Sequence, residues 1–97
     1  MTGKQKRHLR TMAHTLKPVV NLGKHGLSRE TKNEIDTQLL EHELIKLKVL
    51  DSSPISKKEC ADLLKQENSL EVVQIIGKTL TLYCPHPEEP KIELPSA

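Results

Sequence analysis

The apolar residues of this 97-residue chain recur at two spacings, and the change between them divides the chain into helices and strands. Spacings of three and four residues predict three helices, over residues 2–16, 29–42 and 56–67. Runs rich in Val, Ile and Leu predict four strands, over residues 18–22, 44–50, 70–76 and 79–84. The Gly77-Lys78 pair is a two-residue connection that predicts a hairpin between the last two strands.

The order of these elements, α-β-α-β-α-β-β, predicts an α+β fold of the α/β two-layer type with a mixed four-stranded sheet. We expect one domain over residues 1–84 and a proline-rich, partly extended segment over residues 85–97, from which Ile92 and Leu94 are able to dock. Each helix should bury one face: Leu9, Met12, Ala13 and Leu16 in the first, Ile35 and Leu39 in the second, and Cys60, Ala61, Leu63 and Leu64 in the third.

The composition narrows the class of protein. With one tyrosine and neither phenylalanine nor tryptophan, the core must consist of aliphatic residues. The two cysteines, Cys60 and Cys84, lack metal-ligand or redox-motif spacing, which favours buried thiols in a reducing, cytoplasmic setting and leaves a disulfide as the alternative. No apolar run approaches a membrane span, and the basic start lacks the apolar region of a secretory signal. An organelle transit peptide is the other interpretation of that basic start.

Positive charge is concentrated at one end of the chain. Residues 1–29 carry seven Lys and Arg side chains and no acid, whereas residues 30–97 carry eight basic and all thirteen acidic residues. At about 100° per residue, Lys6, Arg7, Arg10 and His14 share one flank of the first helix, and Lys17 would continue it. Ordinary exposed helix faces mix the two signs of charge. The pattern therefore predicts a polyanionic partner.

The sequence Gly23-Lys24-His25-Gly26 joins a predicted strand to a predicted helix within this acid-free region. Glycine permits positive φ and close approach of the backbone, and a helix N-terminus supplies N–H donors to an anion. A G-x-x-G loop in this position is how KH-type modules clamp a nucleic-acid backbone. We expect RNA to contact this loop, with Arg29 beside it. A tight turn that binds nothing is the alternative.

The residues do not favour an enzyme. Neither a zinc-site spacing nor a nucleophile in a recognisable turn motif is present, and the glycine loop is too short for a P-loop. No carboxylate adjoins His25 in sequence to orient it as a general base, so a phosphate or base contact suits it better. Because aromatic residues are nearly absent, recognition should depend on RNA backbone and shape rather than on stacked bases. We expect neither catalysis, cofactor nor metal.

Three ordered blocks, over residues 4–27, 42–48 and 76–83, read KQKRHLRTMAHTLKPVVNLGKHGL, HELIKLK and IGKTLTLY. Together they resemble the CRM (chloroplast RNA splicing and ribosome maturation) domain, in particular the bacterial single-domain, YhbY-like members. The sequence departs from the family's usual arginine after Tyr83, where it has Cys84.

The resemblance implies a fold like the C-terminal domain of translation initiation factor three. It also implies RNA binding through the loop and the adjoining basic surface, and association with precursors of the large ribosomal subunit. On that basis the expected RNA-binding residues are Lys6, Arg7, Arg10, Lys17, Gly23, Lys24, His25, Gly26 and Arg29. We expect a monomer. The alternative function is a module that docks on the acidic surface of a ribosome-associated protein.

Overall fold

A computed structural model describes residues 1–67 and 69–96. Its elements, in chain order, are α1 (Gly3–Ala13), β1 (Pro18–Leu22), α2 (Arg29–His42), β2 (Leu44–Val49), α3 (Lys57–Leu64), β3 (Glu71–Ile76) and β4 (Thr79–Tyr83). The strands form one sheet in the order β1-β2-β4-β3, in which β1 is parallel to β2 and the other neighbours are antiparallel. The predicted α+β class and the mixed four-stranded sheet are confirmed.

Local signals explain where the helices begin. Thr2 and Ser56 each accept a hydrogen bond from the backbone of the third helical residue, whose side chain bonds back to the cap, so α1 and α3 open with capping boxes. Ser28 caps α2 by accepting from the backbone N–H of Thr31. All three helices therefore start within a residue of the predicted positions.

The larger core lies between one face of the sheet and helices α2 and α3. Alternate residues of β2, namely Ile45, Leu47 and Val49, point into it, as the period of two predicts. The helices contribute Ile35 and Leu39 from α2, and Cys60, Ala61 and Leu64 from α3. Leu63 is 44% exposed, so its predicted place in this core is wrong. At about 100° per residue, Cys60, Leu64 and Ala61 fall within one arc of about 100°, and Leu63 lies about 60° outside it, at the edge of the buried face.

Helix α1 covers part of the opposite face of the sheet. Leu9 and Ala13 pack there on Leu44, Val73 and Tyr83, which are the residues of β2, β3 and β4 that point away from the larger core. Helices therefore lie on both faces, whereas the sequence pattern predicted two layers. The reason is that the second face of the sheet is apolar near one end and needs its own cover.

Two helices end earlier than predicted. Helix α1 stops at Ala13, and the next two bonds run from His14 to Thr11 and from Leu16 to Ala13, which tightens the chain before β1. Leu16, beyond this end, is 37% exposed rather than buried, and Met12, which is still helical, is 39% exposed. Helix α3 stops at Leu64 instead of 67. From the sequence, Asn68 and Ser69 are expected to end this helix, and Asn68 lies outside the described residues.

Both cysteines are free thiols. Cys60 is fully buried, and this burial raises the pKa of its thiol to about 11. Cys84 is half-buried, and burial together with the charges of Asp36 and Glu43 raises its pKa as well. Over residues 1–67 and 69–96, no helix combines the length and apolar character that crossing a bilayer requires.

Candidate nucleic-acid interface

The G-x-x-G sequence forms a tight turn, residues 23–26, that places two side chains in solvent. The backbone N–H of Gly26 donates to the carbonyl of Gly23 at 3.0 Å, and Lys24 and His25 are exposed at the centre of the turn. Because this internal bond uses the Gly26 N–H, that group is not a donor for a phosphate. The exposed side chains of Lys24 and His25 are available to an anion.

The two glycines have different roles. Gly26 has φ of 59°, and a Cβ there would lie 3.2 Å from Cγ of Pro54, so the position requires glycine. At Gly23 a Cβ would meet only Ser52 Oγ, at 3.8 Å, and a methyl group of Leu50, at 3.9 Å, which are ordinary contacts. The predicted need for glycine is therefore confirmed by geometry at Gly26, while Gly23 has no steric requirement for it.

Two other connections meet the G-x-x-G turn at the same end of the sheet. The N–H of Leu50 donates to Leu22 at 2.9 Å, which brings the β2–α3 connection beside the turn. The N–H of Val49 donates to Lys78 at 2.7 Å, which brings the β3–β4 hairpin beside the end of β2. We call this region, formed by residues 23–26, 50–56 and 77–78, the loop end of the sheet.

Two lysines that the sequence pattern did not mark as site residues, Lys57 and Lys78, form contacts at the loop end of the sheet. Lys57 Nζ donates to the carbonyl of Gly77 at 2.6 Å, and Lys78 forms an ion pair with Asp51. The hydrogen bond from Lys78, with its charge, holds the pKa of the Asp51 carboxyl below its usual value. Lys78 lies in the hairpin connection, and that placement alone could have marked it as exposed. Nothing in the sequence placed Lys57 near the hairpin.

A second group of cations lies along α1. Arg7, Arg10 and His14 line an open groove of about 450 Å³ whose other wall is the sheet, with Lys46 of β2 and Gln74 of β3. Lys6 lies on the same flank of the helix. As predicted, Lys6, Arg7 and Arg10 therefore lie on one flank of α1, beside this groove. Lys46 was missed, although the alternation of β2 places it opposite the buried Leu47.

A polar strip of the sheet connects the α1 groove to the loop end. Lys46 pairs with Thr81, and one row further on Lys48 pairs with Thr79, next to the hairpin. These residues share the face on which α1 lies, because their neighbours in each strand point into the larger core. Tyr83 is 4% exposed on this face, so it offers no stacking platform. We call the α1 flank, this strip and the lysines of the loop end the basic surface.

Two predicted RNA-binding residues lie apart from the α1 groove. Lys17 follows the early end of α1 and lines a different groove, mostly apolar and also about 450 Å³, with Met12, Leu16 and Val19. The prediction that Lys17 continues the cationic flank is wrong, since it assumed that the helix extended to Leu16. Arg29 is exposed at the start of α2, and that helix packs on the other face of the sheet.

Within the described residues, no group of three or more His, Cys, Asp and Glu side chains is placed to hold a metal ion. The acidic Glu88 and Glu89 are exposed in the C-terminal segment. Ile92 and Leu94 of that segment dock on the Leu9 and Ala13 cluster, as expected. Cations thus dominate the basic surface itself, where Asp51 is already paired with Lys78.

This chain belongs to the CRS1 / YhbY (CRM) domain family, whose pattern matches residues 1–83. It is 40% identical over 95 residues to the probable RNA-binding protein YqeI of Bacillus subtilis, covering 98% of this chain and 99% of that protein. A Haemophilus influenzae RNA-binding protein is 42% identical over 95 residues, covering 98% and 95%. The solution structure of Staphylococcus aureus SAV1595, a candidate RNA-binding protein, superposes with a TM-score of 0.79 at 41% identity, over 98% of this chain and 99% of that one.

Proposed function

We propose that this protein binds RNA through the basic surface. The observation that carries the proposal is the continuity of cationic groups from the α1 groove, across Lys46 and Lys48, to Lys24 and His25 at the loop end. Lysine and arginine side chains in such a row neutralise successive phosphates, which supplies affinity without reading sequence. The RNA-binding names of the relatives agree with this assignment.

The chemistry of the surface favours structured RNA over single strands. Proteins of the RRM or OB type bind unpaired RNA by stacking its bases on exposed aromatic rings. The one aromatic residue of this chain, Tyr83, is buried under α1, and burial raises the pKa of its hydroxyl. Thr81 of the strip is buried as well, but Thr79, Lys46, Lys48 and Gln74 reach solvent there, and such side chains suit phosphate and 2′-hydroxyl groups.

We further propose that the RNA is ribosomal, within a precursor of the large subunit, and that the protein acts there without catalysis, as a cytoplasmic monomer. The ribosomal assignment is what the family resemblance implies, and the free thiols support a reducing compartment. In a sucrose gradient of extract from cells producing the protein, we expect it to sediment with the large-subunit precursor. A protein that binds RNA in isolation but stays at the top of the gradient would contradict the ribosomal part alone.

Salt dependence tests which cations bind phosphate. Arg10→Gln should weaken binding to a double-helical ribosomal RNA fragment and reduce the slope of log K against log salt by about 1, because one phosphate is no longer neutralised. Lys17→Gln makes the same change of charge but lies in the apolar groove, so it should leave the slope unchanged. Fluorescence anisotropy titrations at a series of salt concentrations provide both slopes.

The alternative function, docking on an acidic protein surface, draws support from the apolar groove lined by Met12, Leu16 and Val19. The same titrations discriminate between the two. Binding to RNA whose slope is near zero for the parent protein, and equal for the Arg10 and Lys17 variants, would contradict phosphate binding and favour the protein-docking function.

A further inference from the structure

Glu43, at the junction of α2 and β2, is a buried carboxylate whose hydrogen-bond donors all come from the C-terminal segment, residues 85–96. It is 2% exposed. Its Oε2 accepts from the backbone N–H of His86 at 2.8 Å, and its Oε1 accepts from the N–H groups of Lys91 at 2.8 Å and Ile92 at 2.9 Å. Burial acts to raise the pKa of Glu43, but these three donors outweigh it, so the net pKa lies below the ordinary value.

A glutamate at position 43 is unfavourable in free energy, because of both its backbone conformation and its buried charge. Glu43 has φ of 64°, in a region that L side chains rarely adopt and glycine occupies readily. Its charge also has to be taken out of water, at a cost that only good hydrogen bonds offset. A glycine would end α2 with less strain, so the carboxylate at this point is explained by what it holds rather than by the helix end.

The Glu43 carboxylate holds residues 86–95 of the C-terminal segment, which lie over α1 and which we call the strap. Beyond Ile92, the C-terminal segment packs Leu94 on the cluster that contains Leu9 and Ala13. The side-chain amide of Gln5 then donates to the carbonyl of Pro95 at 3.1 Å. Residues 86–95 therefore tie the α2–β2 junction to the first turns of α1.

The strap and the α1 groove lie on opposite flanks of the helix. At about 100° per residue, Gln5 and Met12 fall on one side of the buried Leu9, while Arg10 and His14 fall on the other. The strap contacts the first side, through Gln5, and Ile92 lines the same groove as Met12. The second side faces Lys46 across the α1 groove. The strap thus packs against the flank of α1 opposite the one that carries Arg10 and His14.

We propose that Glu43 is a positioning residue for RNA binding: by clasping residues 86–92 it orders the strap that holds α1 with its cationic flank along the open face of the sheet. The inference rests on the proposed function. The hydrogen bonds from residues 86–92 to the Glu43 carboxylate, which we call the clasp, join Glu43 to residues beyond the part of the chain that matches the family. That part ends at residue 83. Glu43 touches none of the cations of the α1 groove, so its effect on binding is transmitted through the strap.

Electrostatics alone predicts the opposite outcome, which makes the proposal testable. The C-terminal segment carries Glu88, Glu89 and Glu93 against Lys91, so deleting it makes the protein more positive. A more positive protein should bind a polyanion more tightly. If the strap positions α1, deletion of residues 85–97 should instead weaken RNA binding, by about tenfold, the loss expected when one or two cations no longer reach their phosphates.

The test combines Glu43→Gln, deletion of residues 85–97, and Glu93→Gln as a control that makes the same charge change at an exposed site. Glutamine puts an NH₂ group against one of the donated N–H groups, so the clasp should open. We expect Glu43→Gln to lose amide-exchange protection at Lys91 and Ile92 and to bind the same ribosomal RNA fragment about tenfold more weakly. Glu93→Gln should bind as the parent does, and combining Glu43→Gln with the deletion should add nothing.

Unchanged or tighter binding by the deleted protein, in a folded state confirmed by circular dichroism, would overturn the proposal. So would full parental affinity in Glu43→Gln once Lys91 and Ile92 have lost protection. If Glu43→Gln does not fold, the deletion alone decides. If the parent protein binds no RNA, the proposed function fails separately, and retained exchange protection of α1 in the deleted protein would then show that the strap does not hold the helix.

Discussion

Replacing Lys24 and His25 together with Asp should reduce RNA affinity by about 100-fold or more, the largest functional effect expected in this protein. The substitution removes one full positive charge and adds two negative charges in the exposed turn at the loop end. Attraction of a nearby phosphate becomes repulsion at close range, and each phosphate that is no longer neutralised weakens binding by roughly tenfold. Filter binding or anisotropy with the double-helical ribosomal RNA fragment measures the change.

The fold should tolerate this double substitution. Both side chains are solvent-exposed, and Asp is well suited to the centre of a turn, so the free energy of unfolding should change by less than about 0.5 kcal/mol. The matched control is Lys65→Asp with Gln66→Asp, an adjacent exposed pair that follows α3 on the other side of the sheet and makes the same change of charge. Equal losses of affinity in both double variants would indicate that net charge, rather than the G-x-x-G turn, governs binding.

The largest effect on stability is expected at Leu9 of α1. Leu9 is fully buried between the helix and the second face of the sheet, so Leu9→Ala should lower the free energy of unfolding by ~2–5 kcal/mol through reduced burial and the cavity left behind. Urea unfolding followed by far-UV circular dichroism measures the loss. For a chain of this size, a loss at the upper end of that range removes a large share of the total stability.

Met12→Ala is the control on the same helix. The sequence pattern placed Met12 on the buried face with Leu9, but the side chain is 39% exposed on the rim of the apolar groove. Its truncation should therefore cost about 1 kcal/mol or less. A loss of stability at Met12 as large as at Leu9 would contradict this packing of α1 and support the wider buried face that periodicity predicts.

The two predictions test two different parts of the molecule. The Lys24 and His25 substitution acts on a surface that contributes little to stability, whereas Leu9 acts on the cluster that fixes α1. Leu9 and Glu43 meet through the C-terminal segment, because Ile92 bonds to Glu43 and packs beside the Leu9 cluster. The direction in which the cations of α1 point therefore depends on the packing of the strap against the opposite flank of that helix.

Local signals in the sequence determined the elements and one part of the candidate interface. The bounds of α2, Arg29–His42, follow from a Ser cap and a helical period, and the capping box at Ser56 starts α3. The positive φ of Gly26 follows from a glycine between strand and helix. Such features depend on residues within four positions of each other, so sequence shows them directly.

Only the tertiary structure decided what depends on contacts between distant segments. The end of α1, and with it the separation of Lys17 from Arg10, depends on how the chain turns into the edge strand β1. The sheet order puts Lys46 opposite α1 and brings the hairpin to the end of β2, beside the G-x-x-G turn. The clasp joins Glu43 to residues more than 40 positions away.

These contacts are invisible to periodicity because burial and hydrogen-bond partners of a side chain are set by whatever element packs over it, not by its neighbours in sequence. The excess of positive charge and the G-x-x-G turn could both be predicted from the first 29 residues. How the charges line up was decided by the sheet beneath α1 and by the strap that Glu43 holds against the helix.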